Sequence, residues 1–291
     1  MRIKLKLHCV QNVEPDPSEI GFAFHRARTE IGQKGAFCKG LKVMIMLKSE
    51  TNSICKKITF SSNGLLLRGT LHHPTTDRPP VVIGSHGLLS SSGSPKQIQL
   101  AIQCNEYGIA FFRFDHRGCG QSNGILKDVT SIEARCNDLI SAIKTIQIRK
   151  DVGDRIGLFG SSMGGAVCIS VAAAFNVDAL VTFAAPVRSG SIIEAPEKSD
   201  NSNTQKPPFD TKYLQSNISD KLSSLHHILI FHGDSDNLVP PSNARKIYAK
   251  AGNPKKLIMQ KDGDHRMSNK EHQENFIREA ALWFKACFDD T

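Results

Sequence analysis

The sequence predicts an α/β domain in which a mostly parallel sheet carries helices on both faces and an antiparallel hairpin opens it. Three observations predict this. Short apolar runs alternate with helix-period stretches from about residue 57 to the C-terminus, the pattern of strands joined by helical crossovers. The first two runs, 57–61 and 65–72, are separated by a Ser-Asn-Gly turn, which is a hairpin signal. Glycine, histidine, aspartate and serine gather where the later runs end, and the carboxyl ends of parallel strands are where ligands bind.

The elements follow in order. After the hairpin, Pro80–Ser85 is a short apolar run of the kind buried on both faces of a sheet. Pro95–Tyr107 reads as a helix stopped by Gly108, and Ile109–Phe114 as a strand. Ser131 is the expected N-cap of a helix to Ile148, with Ile132, Leu139, Ile143 and Ile146 on one stripe. A strand at 155–159, a small-residue helix at 165–175 and a strand at Ala179–Ala184 come next. The C-terminal part gives a strand at His227–Phe231, a helix at Ser242–Lys250, a strand at Lys256–Gln260 and an amphipathic helix at Glu271–Phe288. That makes eight strands. Residues 187–225 interrupt the alternation with Ser, Asn, Lys and Pro and few apolar residues. A loop that long serves as a cap over a site or is a mobile insertion, and the expectation is a short cap.

Residues 1–53 differ from the rest. They lack sustained periodicity, and Val10–Ile20 is polar with two prolines. They are expected to be an N-terminal extension outside the core, or upstream sequence with the working start at Met44 or Met46; the α/β core is expected at 54–291. Basic residues alternate with apolar ones in Met1–Leu7 with no uninterrupted apolar segment behind them, so no secretory signal is expected and the cytoplasm is the default. No run approaches the roughly eighteen apolar residues a membrane span needs.

Net charge is +9, which invites a nucleic-acid reading. Residues 1–57 carry +6 of it, and the basic residues beyond are scattered among acids, so no nucleic-acid partner is expected. Eight cysteines show no Cys-x-x-Cys pair and no Cys/His cluster with metal spacing. Free thiols, no metal and no organic cofactor are expected.

The chemistry-bearing residues lie in the loops after the strands. Ser85-His86-Gly87-Leu88-Leu89 follows the third run, and Asp115-His116-Arg117-Gly118-Cys119-Gly120-Gln121-Ser122 the fourth. Gly160-Ser161-Ser162-Met163-Gly164 follows the fifth. A strand, sharp turn and helix with serine at the apex would hold a hydroxyl clear of the sheet, where a base can take its proton. Such a turn needs Ser162 near positive φ, and a side chain at Gly160 or Gly164 would strike the neighbouring helix or strand. His232-Gly233-Asp234-Ser235-Asp236-Asn237-Leu238-Val239-Pro240 follows the seventh run, and Asp262-Gly263-Asp264-His265 the last.

These motifs, in this order over about residues 57–288, resemble the α/β-hydrolase family, and within it the serine aminopeptidase-like and cinnamoyl (feruloyl) esterase-like branch. The resemblance implies the α/β-hydrolase fold, with Ser162 as nucleophile, His265 as general base and Asp236 as the acid that orients it. Asp234 is the alternative acid, but Asp236 fits the family spacing and Asp234 is expected to support the turn. The oxyanion donors implied are the backbone N–H groups of Leu88 and Met163. His86 and Gly87 would shape that loop, and Asp115 and Arg117 would bond the next loop together. The implied activity is carboxylic ester hydrolysis on a small ester or amide substrate. A peptidase, thioesterase or acyltransferase on the same triad, and a non-catalytic binding protein on the same fold, are the alternatives. Oligomeric state is not legible in the sequence.

Overall fold

A computed structural model describes residues 53–188 and 215–290. The strands are β1 (Ile54–Ser62), β2 (Leu65–His73), β3 (Val81–Ser85), β4 (Ala110–Phe114), β5 (Ile156–Ser161), β6 (Ala179–Phe183), β7 (Ile228–Gly233) and β8 (Lys255–Gln260). They form one sheet in the order β1-β2-β4-β3-β5-β6-β7-β8. β1 and β2 pair antiparallel, as do β2 and β4, and every later pair is parallel. The hairpin closes at Asn63 and Gly64, both at positive φ, the two-residue turn whose twist matches the flanking strands.

The helices are α1 (Pro95–Glu106), α2 (Leu126–Val129), α3 (Ile132–Gln147), α4 (Met163–Ala172), α5 (Ser242–Lys250) and α6 (Lys270–Asp289). Register explains how one sheet feeds two cores. Leu71, Phe112, Ile83, Leu158, Leu180 and Ile228 stand side by side across six strands. All are buried on the face that α3, α4 and α5 cover. Their chain neighbours Val82, Phe111, Phe159, Val181 and Leu229 point the other way, into a core closed by α1 and α6. Alternation of side chains along a strand makes both faces apolar at once, which is why these strands read as continuous apolar runs. Each fully buried Phe in them contributes roughly 2–3 kcal/mol of burial free energy.

The expected elements are all present, with shifted ends. β5 runs on through Gly160 and Ser161, and α4 begins at Met163 and ends at Ala172, earlier than expected at both ends. The single-turn α2 was not foreseen. Ser131 caps α3 through its side chain, which accepts from the Ala134 N–H at 3.0 Å. Of the insertion expected at 187–225, only its ends are described. They meet in an antiparallel bridge, Arg188 to Asn217, with the Ile218 N–H donating to Val187 O at 3.0 Å. The cap itself, and the extension expected at 1–53 apart from Ser53, lie outside the described residues. Among the described residues no helix is long and apolar enough to cross a membrane.

Candidate active site

Strand β5 delivers Ser162 to the rim of the sheet and α4 starts immediately behind it. The serine sits at φ 54° and ψ −121°, a conformation that costs an L-residue of order 1–3 kcal/mol. Three bonds hold it there: its N–H donates to Phe183 O at 2.7 Å, and its carbonyl accepts from the Gly165 N–H at 2.8 Å and the Ala166 N–H at 3.3 Å. A Cβ on Gly160 would run into the backbone of Gly164 and Gly165, and one on Gly164 into the Ser85 carbonyl. Both flanking glycines are therefore there for steric reasons.

Strand β7 ends in a loop built around Asp236. One carboxylate oxygen accepts from the N–H groups of Leu238 (2.9 Å) and Val239 (2.8 Å). The other lies 2.8 Å from His265 Nδ1 and 3.3 Å from His232 Nε2. Burial would push the carboxyl pKa up, but the bonds from His232, His265 and the Val239 N–H outweigh it and hold Asp236 ionised, below the usual carboxylate range. An ionised Asp236 can only accept, so the proton on His265 sits on Nδ1, and Nε2 presents a lone pair. Nε2 lies 3.1 Å from Ser162 Oγ. Three residues separated by 103 and 29 positions thus form one chain of hydrogen bonds. The His265 side chain keeps 16% of its surface exposed, so water can reach the imidazole.

The loop after β3 closes the other side. Gly87 packs against the serine turn: a Cβ there would stand 3.5 Å from Ser161 O and 3.6 Å from Ser162 Cβ. Among the described residues neither the Leu88 nor the Met163 N–H donates to a backbone carbonyl. The second of these opens α4, where amides are unpaired and the helix dipole favours negative charge.

The family description Serine aminopeptidase, S33 matches residues 77–206. The chain is 28% identical over 250 residues to the uncharacterized protein YfhR of Salmonella typhi, covering 80% of this chain and 82% of that one. It is 27% identical over 217 residues to the palmitoyl-protein thioesterase ABHD10, mitochondrial, of Mus musculus, covering 66% and 71%. Est1E of Butyrivibrio proteoclasticus, solved with ferulic acid bound, superposes with a TM-score of 0.68 at 20% identity over 79% of this chain and 99% of its own. The Pyrococcus furiosus esterase Pf2001 gives 0.69 at 18% identity over 80% and 93%. The fold is that of the α/β-hydrolases.

Within this α/β-hydrolase fold the supporting residues divide into those the motifs pointed to and those they did not. His86 bonds backbone groups, as expected: its Nε2 accepts the His116 N–H at 3.0 Å, so Nδ1 carries the proton it donates to Gly87 O at 2.7 Å. Asp234 accepts from the Asp262 N–H at 2.7 Å and the Ser235 hydroxyl at 3.1 Å, tying the β7 and β8 loops together. Asp115 accepts the Ser92 and Gln121 N–H groups. Arg117 departs from expectation. Its partner is Asp138 on α3, through Nε at 2.9 Å and a terminal nitrogen at 2.7 Å, with a further bond to Ser62 Oγ. Asp115 is already occupied by amides, which leaves the guanidinium to bridge loop and helix.

Three groups went unforeseen. His116 is fully buried between Ser85 Oγ (2.8 Å) and Asp138 (3.4 Å). Burial, against the pull of its Asp138 bond, drives its pKa down to about 4 and leaves it neutral. Lys96, in the first turn of α1, lies 3.8 Å over the Phe183 ring. Burial lowers it to about 8, although the Asp264 and Asp236 charges oppose the shift. Arg135 on α3 is fully buried. The signal for it was present: a charged residue four before Leu139, on the stripe that faces the core.

Proposed function

We propose that this protein is a serine hydrolase that cleaves carboxylic esters through an acyl-enzyme. The observation that carries the reading is the hydrogen-bonded chain Ser162–His265–Asp236, 3.1 and 2.8 Å, on a serine held at positive φ, with the Leu88 and Met163 amides donating to no backbone carbonyl among the described residues. His265 Nε2 removes the Ser162 proton as Oγ bonds to the substrate carbonyl carbon, and the carbonyl π electrons move to oxygen. The Leu88 and Met163 N–H groups receive that oxyanion. Collapse re-forms the carbonyl and breaks the bond to the alcohol oxygen, which leaves with the proton from His265. A water deprotonated by the same nitrogen then attacks the acyl carbon, and Ser162 departs with its proton restored. Asp236 keeps Nδ1 protonated and stabilises the imidazolium formed twice per cycle. None of these steps draws on a cofactor.

The test is a substrate panel with a fluorophosphonate probe. Short p-nitrophenyl esters are expected to turn over faster than aminoacyl anilides, and the probe to label the wild type but not Ser162→Ala. Faster anilide cleavage would replace the esterase by a peptidase. Equal labelling of both proteins would remove Ser162 from the reaction and favour a binding protein. One relative supports a second reading on the same triad: the murine protein is named a palmitoyl-protein thioesterase. A thiolate leaves without a proton, so acyl thioesters belong in the same panel, and their preference over esters of equal chain length would select that reading.

A further inference from the structure

We infer that Arg135 is the positioning residue for the oxyanion-binding loop: from inside α3 it fixes the direction in which the Leu88 N–H points. The inference rests on the serine-hydrolase reading above. Arg135 spends all five of its N–H donors on neutral acceptors. Nε reaches Thr130 Oγ1 at 3.2 Å. One terminal nitrogen reaches the carbonyls of His86 at 3.2 Å and Gly87 at 3.3 Å. The other reaches the Leu88 carbonyl at 3.1 Å and Cys119 Sγ at 3.4 Å. Three successive carbonyls of one loop are thus gathered on a single planar cation.

Peptide planarity turns that clasp into a statement about donors. In a trans peptide the C=O and the N–H of the same unit point to opposite sides. Arg135 draws the Gly87 carbonyl toward itself, so the Leu88 N–H of that unit is directed away from it. Holding the His86 carbonyl does the same for the Gly87 N–H. Gly87 itself lies beside the nucleophile, since a Cβ there would stand 3.6 Å from Ser162 Cβ. His86 adds a second donor to the Gly87 carbonyl from its own ring, at 2.7 Å, so that peptide is held from two directions.

Stability alone gives no reason for a guanidinium here. It is fully buried, and among the described residues it forms no ion pair; the nearby Asp138 carboxylate is engaged by Arg117 and His116. Burying a cation against neutral partners costs more than burying an apolar side chain of the same volume. The cation does what an apolar residue cannot: it orients carbonyls. A loop free to rotate its 87–88 peptide would present a carbonyl oxygen, not an N–H, to the forming oxyanion.

The test uses Arg135→Met and Arg135→Lys in the full chain, with a p-nitrophenyl ester as substrate and an arylalkyl boronic acid as transition-state mimic. The boronate forms a tetrahedral adduct on Ser162 whose oxygen occupies the oxyanion position. For Arg135→Met we expect kcat to fall about 10- to 100-fold with KM within about twofold, since mis-aiming one donor costs up to what its removal costs. The boronate inhibition constant should rise by the same factor. The acid limb of the pH–rate profile should not move, because the Ser162–His265–Asp236 chain is untouched. Arg135→Lys, which keeps a cation with fewer donors, should recover part of the loss, and it carries the test if the methionine variant yields no folded protein. Folded variants with kcat within about threefold of wild type, or with KM raised and boronate affinity unchanged, would overturn the inference while leaving the hydrolase reading intact. A wild type that neither labels with fluorophosphonate nor hydrolyses any ester, thioester or anilide withdraws both.

Discussion

Replacing Asp236 by Asn tests the electrostatic half of the proposed triad, and the hydrogen bonds around it set the expected size. The asparagine carbonyl can take over the Leu238 and Val239 N–H groups, so the loop keeps its shape. Its NH2 then occupies the position 2.8 Å from His265 Nδ1. Two N–H groups cannot face each other at that distance, so His265 must move its proton to Nε2. That nitrogen, 3.1 Å from Ser162 Oγ, then holds a donor where the mechanism needs a lone pair. A wrong tautomer in this arrangement lowers kcat by about 10⁴, which is about 5.5 kcal/mol of activation free energy. The assay is steady-state hydrolysis of a short p-nitrophenyl ester at about pH 7, where an imidazole still serves as base. The rate of fluorophosphonate labelling provides an independent measure of serine activation. Asp234→Asn is the matched control, because its amide oxygen can still accept the Asp262 N–H and the Ser235 hydroxyl; kcat should stay within about twofold. An Asp236→Asn enzyme within tenfold of wild type, beside an Asp234→Asn enzyme that has lost most of its activity, would refute the reasoning and move the acid to 234.

Two further outcomes follow from strain and burial. Ser162→Gly should abolish labelling yet raise thermal stability by about 2–4 °C, since glycine relieves roughly 1 kcal/mol of the cost of φ 54°; an unchanged or lower melting temperature would mean the turn stores no strain. His116, at about 4, lies below the ordinary histidine value chiefly because it is buried, so the folded state binds fewer protons than the unfolded one between about pH 6.5 and 4. Its contribution is complete above that window and declines as pH falls through it, by about 3 kcal/mol. Urea melts across the window should be flatter by that amount in His116→Gln, and parallel curves for the two proteins would refute the assignment.

The sheet was legible because its two cores impose a simple pattern on the chain. Residues such as Ile83, Leu158 and Ile228 are buried on one face while their neighbours are buried on the other, so strands appear as unbroken apolar runs. Ends were harder to read. The apolar run stops at Phe159, but β5 continues because Gly160 and Ser161 still pair with Thr182 and Phe183 of β6. Ser162, Asp236 and His265 could be singled out as candidates because each lies in the segment that follows a strand, and strand ends are where a parallel sheet brings distant loops together. Arg117 shows the limit of that reasoning. Its loop offered Asp115 as the nearest acid in sequence, but its carboxylate partner is 21 residues away on α3. Nothing in a local window records which of two carboxylates the backbone amides have already taken.

Arg135 and Asp138 of α3 and His116 and Arg117 of the loop after β4 form a buried polar cluster, and their ionisation follows from how they are partnered. Burial pushes the Asp138 pKa up, but bonds from His116 and Arg117 pull it down to about 2, so it stays charged while His116 stays neutral. One carboxylate thus serves Arg117, which ties the β4 loop to α3, and His116, which reaches Ser85 at the end of β3. Arg135 stands one helical turn earlier on α3 and reaches the next three carbonyls of that same strand end. A single helix therefore sets both the strand ends and the peptide planes beyond them, whereas the Ser162–His265–Asp236 chain depends on the β5, β7 and β8 loops. The two halves of the proposed site have separate mechanical supports. Substitutions on α3 should change oxyanion stabilisation without altering proton transfer, and substitutions around Asp236 the reverse, so a double variant of Arg135 and Asp236 should lose the product of the two single factors. A combined loss much smaller than that product would mean that the supports are coupled and that the loop takes its shape from the imidazole as well as from the helix.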